Sequence, residues 1–426
     1  MKNLYIKTIT SLSILACVAL SPSEMKADWE IVRSLPSTYA HFITSEGVHL
    51  MSNYLTNRSG GIYYSEDNCQ TWTKSEVRDY WYSDFYEADG YIFALGAGCR
   101  VGRSEDGGRT WDLLNYSSAI KDYVPEKAID GTVCYGITSL DGVLYIGDFS
   151  GGGVLRSEDY GETWEMTDRN SLYIYFYGES EPQMDSFYRL EAYNGMVYAF
   201  GLYSVHAYVP EENKWLKVPI NSNCMGAVTV MDNKMYGGRA IMNFDMESDY
   251  IIQFDGTDMG VLPRPDTDDN NIRCLSHDGS TLYSMHHGGK MYYTSDLGLN
   301  WHAAPDFKEN LYPLTLAFDD EYVYTGVYSP NPMDNESGLW RIAKAELELS
   351  GMKAVAADNA LAPVYDGKSL CCPRTADRIT LSLIDGKVVM SLDNAAEADL
   401  SHLQNGVYIY NVDYGTSSCS GKLLKK

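Results

Sequence analysis

The chain has 426 residues, of which 45% are apolar and 13% aromatic, so it can bury a sizeable core and is not intrinsically disordered. Asp and Glu outnumber Lys and Arg by 58 to 33, which gives a formal net charge of −25. Phosphate backbones and anionic lipid surfaces attract basic proteins, so this charge argues against nucleic-acid binding and against membrane docking. The composition therefore predicts an acidic, tyrosine-rich globular protein.

The N-terminus carries an export signal. Two lysines precede a short apolar run at residues 9–20, and a polar stretch follows it. This order is typical of a secretory signal peptide, and the run is too short to span a bilayer. We assign residues 1–27 to the signal peptide, with cleavage before Asp28. In an alternative interpretation, the tetrapeptide ending at Cys17 resembles a bacterial lipobox, which implies lipid attachment there.

An eight-residue pattern, S-x-D-x-G-x-T-W, recurs along the chain. Ser104–Trp111 and Ser157–Trp164 fit it fully, Ser65–Trp72 has Cys69 in place of Gly, and Ser295–Trp301 aligns with a one-residue deletion. In such a turn the carboxylate accepts backbone N–H groups, glycine supplies a positive φ, and the indole packs beneath. We therefore expect structural roles for the acid and indole of each copy. These residues are Asp67, Trp72, Asp106, Trp111, Asp159, Trp164, Asp296 and Trp301.

A second, longer repeat underlies the first. Seven short apolar runs each follow a tight-turn dipeptide such as Asn-Gly or Asp-Gly, the strongest short hairpin signal, and helical periodicity is absent from this region. Four strands per unit and seven units predict a seven-bladed β-propeller. The seventh unit lacks an outer strand, so we expect Trp29–Val32 to supply it and to close the ring. The seven runs begin at His49, Tyr91, Val143, Met196, Lys234, Thr281 and Tyr322.

The eight-residue copies resemble the Asp-box (BNR) repeats of sialidase-like β-propellers. The resemblance implies that they lie on the propeller rim, on the face opposite the functional cleft. We assign residues 28–348 to this propeller, residues 349–370 to an Ala-rich linker and residues 371–426 to a small C-terminal β-sandwich of short alternating strands. The predicted fold class is all-β.

The C-terminal segment carries a second resemblance. The Asp385-Gly386-Lys387 turn, the core Asp399–Ile409 and the basic end Gly421–Lys426 are similar to the type A C-terminal sorting domain of the Bacteroidetes type IX secretion system. The resemblance implies that secretion machinery recognises residues 371–426 and that the protein reaches the exterior or the outer-membrane surface. An ordinary accessory sandwich is the alternative.

The sequence predicts neither a cofactor nor a metal. The eight cysteines beyond Cys17 show no CxxC pair and no Cys/His ligand spacing, and pairing of Cys371 or Cys372 with Cys419 stays an alternative to isolated thiols. Neighbouring histidines of a strand point to opposite faces, so the His286-His287 pair does not predict a metal site.

In a propeller, the loops between strands two and three and the connections between blades gather around the channel on one face. Exposed aromatic rings beside polar groups suit sugar rings. We predict a non-catalytic, monomeric propeller that binds a glycan or an extracellular protein on this face. The candidate ligand-binding residues are Trp81, Tyr82, Tyr175, Tyr177, Arg239, His286 and His287.

The alternative is an extracellular, sialidase-like glycoside hydrolase that uses the same face. Such an enzyme needs three arginines to clamp the substrate carboxylate, together with acidic groups. Arg189, Arg239 and Arg273, with Glu191 nearby, form a degenerate version of that set, but the family's early F-R-I-P segment is missing. We therefore assign no catalytic residue. A pKa-shifted carboxylate or an arginine cluster in the channel mouth would favour the enzyme.

Overall fold

A computed structural model of the protein describes most of the chain beyond residue 27, with interruptions. The described residues are 28–34, 38–55, 59–124, 132–148, 153–174, 181–201, 203–218, 227–238, 250–255, 259–263, 265, 272–286, 289–307, 311–329, 336–351, 363–365, 368–382, 387–404, 406–415 and 418–425. Within these ranges, every helix is too short or too polar to cross a membrane.

Antiparallel sheets follow one another along the chain, and in blades 1 to 6 the strands of each sheet lie in sequence order. The first strand, β1 (Glu30–Ser34), is the exception and joins the last blade. Blade 1 contains β2 (Thr38–Ile43), β3 (His49–Leu55), β4 (Ser59–Ser65) and β5 (Thr73–Lys74). Blade 2 contains β6 (Tyr82–Ala88), β7 (Tyr91–Gly96), β8 (Arg100–Ser104) and β9 (Asp112–Asn115), followed by helix α1 (Ser117–Ile120).

Blade 3 contains β10 (Cys134–Leu140), β11 (Val143–Asp148), β12 (Gly153–Ser157) and β13 (Glu165–Met166). A 3-10 turn (Arg169–Leu172) and a small hairpin of β14 (Tyr173–Ile174) and β15 (Gln183–Met184) follow it. Blade 4 contains β16 (Phe187–Tyr193), β17 (Met196–Gly201), β18 (Val205–Val209), a 3-10 turn (Pro210–Glu212) and β19 (Lys214–Lys217). Blade 5 contains β20 (Ala227–Met231), β21 (Lys234–Gly238), β22 (Tyr250–Phe254) and β23 (Met259–Pro263).

Blade 6 contains β24 (Ile272–His277), β25 (Leu282–His286), β26 (Met291–Thr294) and β27 (His302–Ala303). Blade 7 contains β28 (Tyr312–Pro313), β29 (Ala317–Phe318), β30 (Tyr322–Tyr328) and β31 (Gly338–Ala343), with β1 outermost, and helix α2 (Lys344–Gly351) follows. The predicted all-β, seven-bladed propeller is confirmed.

The first two strands of each blade form the hairpins that the dipeptides predict. At Asp89-Gly90, Asp141-Gly142 and Asn194-Gly195 both turn residues have positive φ, the geometry that matches the right-handed twist of the flanking strands. The apolar core lies between neighbouring blades. In one cluster, for example, Phe93 and Val101 of blade 2 pack with Ile146 of blade 3.

The chain ends of the propeller meet in blade 7, as predicted. Strand β1 pairs antiparallel with β31, from Glu30 opposite Arg341 to Ser34 opposite Gly338. The preceding Trp29 is buried, its ring stacks on Phe307 at 4.3 Å, and its Nε1 donates to the carbonyl of Pro305 at 2.8 Å. The N-terminal strand therefore closes the ring through both backbone pairing and an aromatic anchor.

The eight-residue copies form turns between the third and fourth strands. In the second copy, Oδ1 of Asp106 accepts the backbone N–H of Thr110 at 2.9 Å and the hydroxyl of Ser104 at 2.8 Å, while Oδ2 accepts the Thr110 hydroxyl at 2.6 Å. The copies at Asp67 and Asp159 repeat this network. One carboxylate thus holds each turn together.

The fourth copy contains no deletion. Thr294 takes the place of the first serine and donates to Oδ1 of Asp296 at 2.7 Å, and the side-chain amide of Asn300 donates to Oδ2 at 2.7 Å. Aligning the copy on Ser295 was therefore wrong by one residue. Thr294 in place of Ser and Asn300 in place of Thr keep the same side-chain hydrogen-bond donors. The turn therefore forms although the sequence differs.

These turns also connect neighbouring blades. Arg109 in the second copy donates to Glu66 in the first, and the Ser75 hydroxyl donates to the carbonyl of Gly108 at 2.6 Å. Arg103 of blade 2 reaches Glu162 in the third copy at 2.7 Å. Polar contacts thus connect neighbouring blades along the face that carries the turns.

The described C-terminal strands form a five-stranded sheet. They are β32 (Val364–Tyr365), β33 (Ser369–Ser382), β34 (Val388–Asp399), β35 (Gly406–Asp413) and β36 (Ser418–Lys425). The long β33 pairs with β32, β34 and β35, and its register shifts between Cys371 and Ala376. Ile379, Leu381 and Val412 belong to the buried apolar cluster of this unit. As predicted, a small all-β unit follows the propeller.

Replacing the aromatic anchor tests ring closure. We expect Trp29→Ala to lower the free energy of unfolding by about 3–5 kcal/mol, because it leaves a cavity beside Phe307. Ile31→Ala on the same strand is the control, since that side chain is 42% exposed and should contribute little. Chemical denaturation measures both, and equal effects would contradict the anchor.

Replacing a turn carboxylate tests the motif network. Partial burial opposes ionisation of Asp106, but hydrogen bonds from Thr110 and Ser104 outweigh it and lower the pKa. The stabilisation is therefore present above the unfolded-state pKa and is lost as the pH falls through the lowered value. We expect Asp106→Ala to destabilise by about 2 kcal/mol at neutral pH and the exposed Glu105→Gln to change little. Thermal unfolding across acidic pH should show the gap between wild type and Asp106→Ala closing.

Candidate functional site

Inner strands of the blades wall a cavity of about 290 Å³ around the propeller axis. The lining residues come from early or middle positions of the first strand in blades 1 to 6 and from the start of blade 7. The motif turns and inner hairpins lie at the other ends of these strands, so the cavity belongs to the opposite face. One lining residue from each blade, in order, is His41, Asp84, Tyr135, Arg189, Val228, Arg273 and Leu316.

The inner strands approach closely at this point. A Cβ placed on Gly136 of β10 would lie 2.7 Å from the Leu190 backbone nitrogen and 2.8 Å from the Arg189 carbonyl carbon. Real side chains do not tolerate such contacts, so glycine lets blade 3 rest directly against blade 4. This contact fixes the position of the Arg189 backbone, from which the side chain extends.

Two carboxylates flank Arg189. Glu191 is two residues away on the same face of β16, and its Oε1 accepts from Nε at 2.8 Å and lies 2.7 Å from Nη2. Asp84, on β6, places Oδ2 at 3.7 Å from Nη1. The Arg189 side chain is 40% exposed and Asp84 27%, so the cluster faces the cavity.

The cavity perturbs the ionisation of Asp84. Desolvation raises its pKa to about 6, Arg189 and the backbone N–H of Phe85 oppose the rise, and Glu191 adds to it. Glu191, above all, also raises the pKa of the Arg189 guanidinium, because a nearby negative charge favours the protonated form of either group. A carboxyl that titrates near neutrality can accept, donate or transfer a proton.

His41 lines the cavity from blade 1 and is buried. Its Nε2 lies 3.3 Å from Nδ1 of His49, which also contacts Sγ of Cys69 at 3.2 Å. Desolvation, and then His49, lower the pKa of His41 far enough to keep the ring neutral. Throughout the described ranges, no three His, Cys, Asp or Glu side chains are arranged to hold a metal ion.

Aromatic rings lead from the connection between blades 1 and 2 into the cavity. Trp81 packs edge-on against Tyr135 at 5.9 Å, and Tyr135 lies 6.4 Å from Tyr188, with both tyrosines on the cavity wall. Beside Trp81, the ring of Tyr80 lies between the guanidinium groups of Arg78 and Arg100, at 4.9 and 4.2 Å. The channel mouth thus combines aromatic rings with cations.

Three candidate ligand contacts prove to be buried rather than exposed. Tyr82 packs between blades 1 and 2 and donates to the carbonyl of Arg78 at 3.1 Å. His286 is fully buried, with Nε2 at 2.9 Å from the hydroxyl of Ser284. Trp81 is only 7% exposed, so a ligand in the cavity would contact its neighbours and not its own ring. Alternation along the strands turns these rings into the blade interfaces. The candidates Tyr175, Tyr177, Arg239 and His287 lie outside the described residues.

The structure brings Arg189, Glu191 and Arg273 together at the cavity. Sequence reasoning missed Asp84, Tyr135, Tyr188 and His41. The signal that could have found them is polar or aromatic residues within the first four positions of an inner strand, where the channel is reached before the hairpin turn.

Comparison with known proteins identifies the fold. No protein-family model and no curated protein sequence matches the chain. Among solved structures, YCF48 from Cyanidioschyzon merolae aligns with a TM-score of 0.54 at 16% identity, covering 75% of this chain and 99% of that one. Virginiamycin B lyase from Staphylococcus aureus with quinupristin aligns at 0.54 and 12%, covering 74% and 99%.

PorZ of Porphyromonas gingivalis, an essential surface component of the type IX secretion system, aligns with a TM-score of 0.50 at 13% identity. The alignment covers 93% of this chain and 60% of PorZ. At such identities these similarities establish the architecture and leave the activity open. The chain has the fold of these proteins.

Replacing Asp84 tests its environment. Because its pKa is raised from about 4 to about 6, the folded state binds a proton more tightly than the unfolded state, so stability falls as the pH rises between these values and the loss is complete above about pH 6. We expect Asp84→Asn to raise the melting temperature most at about pH 7.5, less at about pH 5, and little at about pH 4. Calorimetry on both proteins at all three pH values checks this, and a loss of stability at the highest pH would contradict it.

Proposed function

We propose that this protein is an exported propeller that binds a glycan or a protein ligand at the channel-mouth cavity, without catalysis. One observation carries the proposal: all seven blades contribute to a cavity of about 290 Å³ that combines tyrosine rings with a compensated charge cluster. Recessed sites with aromatic walls and a few convergent polar groups are where ligands bind in proteins of this size.

Export is part of the proposal. Residues 1–27 have the order of a signal peptide, and we propose that residues 28–348 form the propeller, 349–370 a linker and 371–426 a sorting module read by type IX secretion machinery. The shared hydrogen-bond network of the four motif turns supports identifying them as Asp boxes. The fold shared with PorZ is compatible with a surface location.

A glycoside hydrolase is the second candidate, and Asp84 favours it. A carboxyl with a pKa of about 6 beside a second carboxylate suits proton transfer to a glycosidic oxygen. The sialidase version is less well supported. Arg189 already engages Glu191 through two of its nitrogens, so it is poorly placed to clamp a substrate carboxylate.

Binding and turnover assays on the full chain distinguish the two candidates. We expect binding to a glycan array or to extracellular protein without turnover of a fluorogenic glycoside panel that includes sialosides. Tyr188→Ala should weaken binding about tenfold or more, whereas Tyr123→Ala, an aromatic outside the cavity that is 47% exposed, should not. Turnover that disappears in Asp84→Asn would make the protein an enzyme. Binding indifferent to Tyr188 would place the site elsewhere.

A further inference from the structure

We propose that the cavity takes the terminal residue of a neutral glycan and discriminates against acidic sugars. The inference rests on the proposed function and narrows it to one ligand chemistry. Three features carry it: the balance of charge around the cavity, the gap between Arg189 and Asp84, and the two tyrosine rings on the wall.

The charges at the cavity cancel. Among the described residues, Arg189 and Arg273 supply two positive charges, and Asp84 and Glu191 supply two negative charges when ionised. A ligand carboxylate that approached Arg189 would also meet Glu191 and Asp84, and like charges in a partly desolvated site repel strongly. An uncharged ligand avoids this repulsion.

Arg189 and Asp84 can together bind one hydroxyl group that lies beside them. Nη1 and Oδ2 are 3.7 Å apart, too far for a direct hydrogen bond, which needs about 2.7–3.2 Å. A hydroxyl is both donor and acceptor, so one sugar hydroxyl can accept from Nη1 and donate to the carboxylate. Both side chains are partly exposed to the cavity, so a hydroxyl can reach them.

The walls and the volume limit what enters. Tyr135 and Tyr188 come from neighbouring blades, and their rings, 6.4 Å apart and tilted by 38°, offer apolar surface to the C–H face of a pyranose. A volume of about 290 Å³ lies at the lower end of the range for small-molecule sites, about 300–1,000 Å³. The cavity therefore suits the end of a glycan and not its interior.

The pH dependence follows from the groups around Asp84. Arg189 and Glu191 face it from β16, Arg273 and Cys274 from β24, and the cavity also contains His41. Burial lowers the pKa of His41 and raises the pKa of Cys274 to about 11, and the arginines stay charged.

As the pH falls through about 6, the carboxyl of Asp84 gains a proton and becomes a poorer acceptor. A neutral sugar should therefore bind less tightly at low pH. An acidic ligand should bind more tightly, because the cavity loses a negative charge.

The experiment uses the full chain and an array of matched oligosaccharides that differ only in the terminal residue: hexose or N-acetylhexosamine against sialic or uronic acid. Calorimetry on the best neutral binder follows at about pH 7.5 and about pH 5. We expect the neutral members to bind, with affinity about tenfold weaker at the lower pH. Asp84→Asn should abolish the pH dependence, whereas Glu105→Gln on the opposite face should preserve it.

Tyr188→Phe keeps the stacking surface and should bind better than Tyr188→Ala, which covers the case in which the Asp84 variant misfolds. Preference for the acidic members, or affinity that rises as the pH falls, would overturn the inference. If no glycan binds but a protein ligand binds and is lost in Tyr188→Ala, the glycan inference fails and the proposed function stands. If neither class binds, both fail.

Discussion

The pairing of β1 with β31 is the interaction on which the rest of the structure depends. The apolar packing between blades is non-directional, so by itself it specifies a stack of sheets and not a ring of fixed circumference. A sheet built from both ends of the propeller removes that freedom, because blade 7 is complete only when the ring is closed. The radius then follows, and with it the distance across the channel. In the closed ring, Asp84 of blade 2 and Arg189 of blade 4 face each other at 3.7 Å.

One face of the ring contributes to stability, and the opposite face offers a place for a ligand. On one face, turn carboxylates accept several hydrogen bonds each, and contacts such as Arg103 with Glu162 connect neighbouring blades. These groups are saturated by their own turns and have little capacity left for a ligand. On the other face the inner strands begin, and their polar residues point into a cavity.

The hairpin dipeptides, the motif copies and the missing outer strand of blade 7 made the propeller and its closure predictable, since each rests on local turn chemistry or strand counting. The register of the fourth motif was not, because Thr294 and Asn300 replace the expected residues with chemical equivalents. The site was harder still. Asp84 is one acid among 58, and only the arrangement of seven inner strands shows that it meets Arg189. Tyr82 and His286 were predicted to contact a ligand, but strand alternation directs both side chains into the protein interior.

The charge cluster makes a physical argument for function. Desolvation raises the pKa of Asp84, so its ionised form works against folding at neutral pH, and apolar residues of similar volume would fill such a place without that penalty. The Arg189–Glu191 pair alone would already be electrically neutral. Adding Asp84 at a distance too long for a direct hydrogen bond increases the desolvation and gains little within the protein. A ligand group that bridges Arg189 and Asp84 would supply the missing hydrogen bonds and offset the cost of desolvation. The cavity has room for such a group at the place where all seven blades meet.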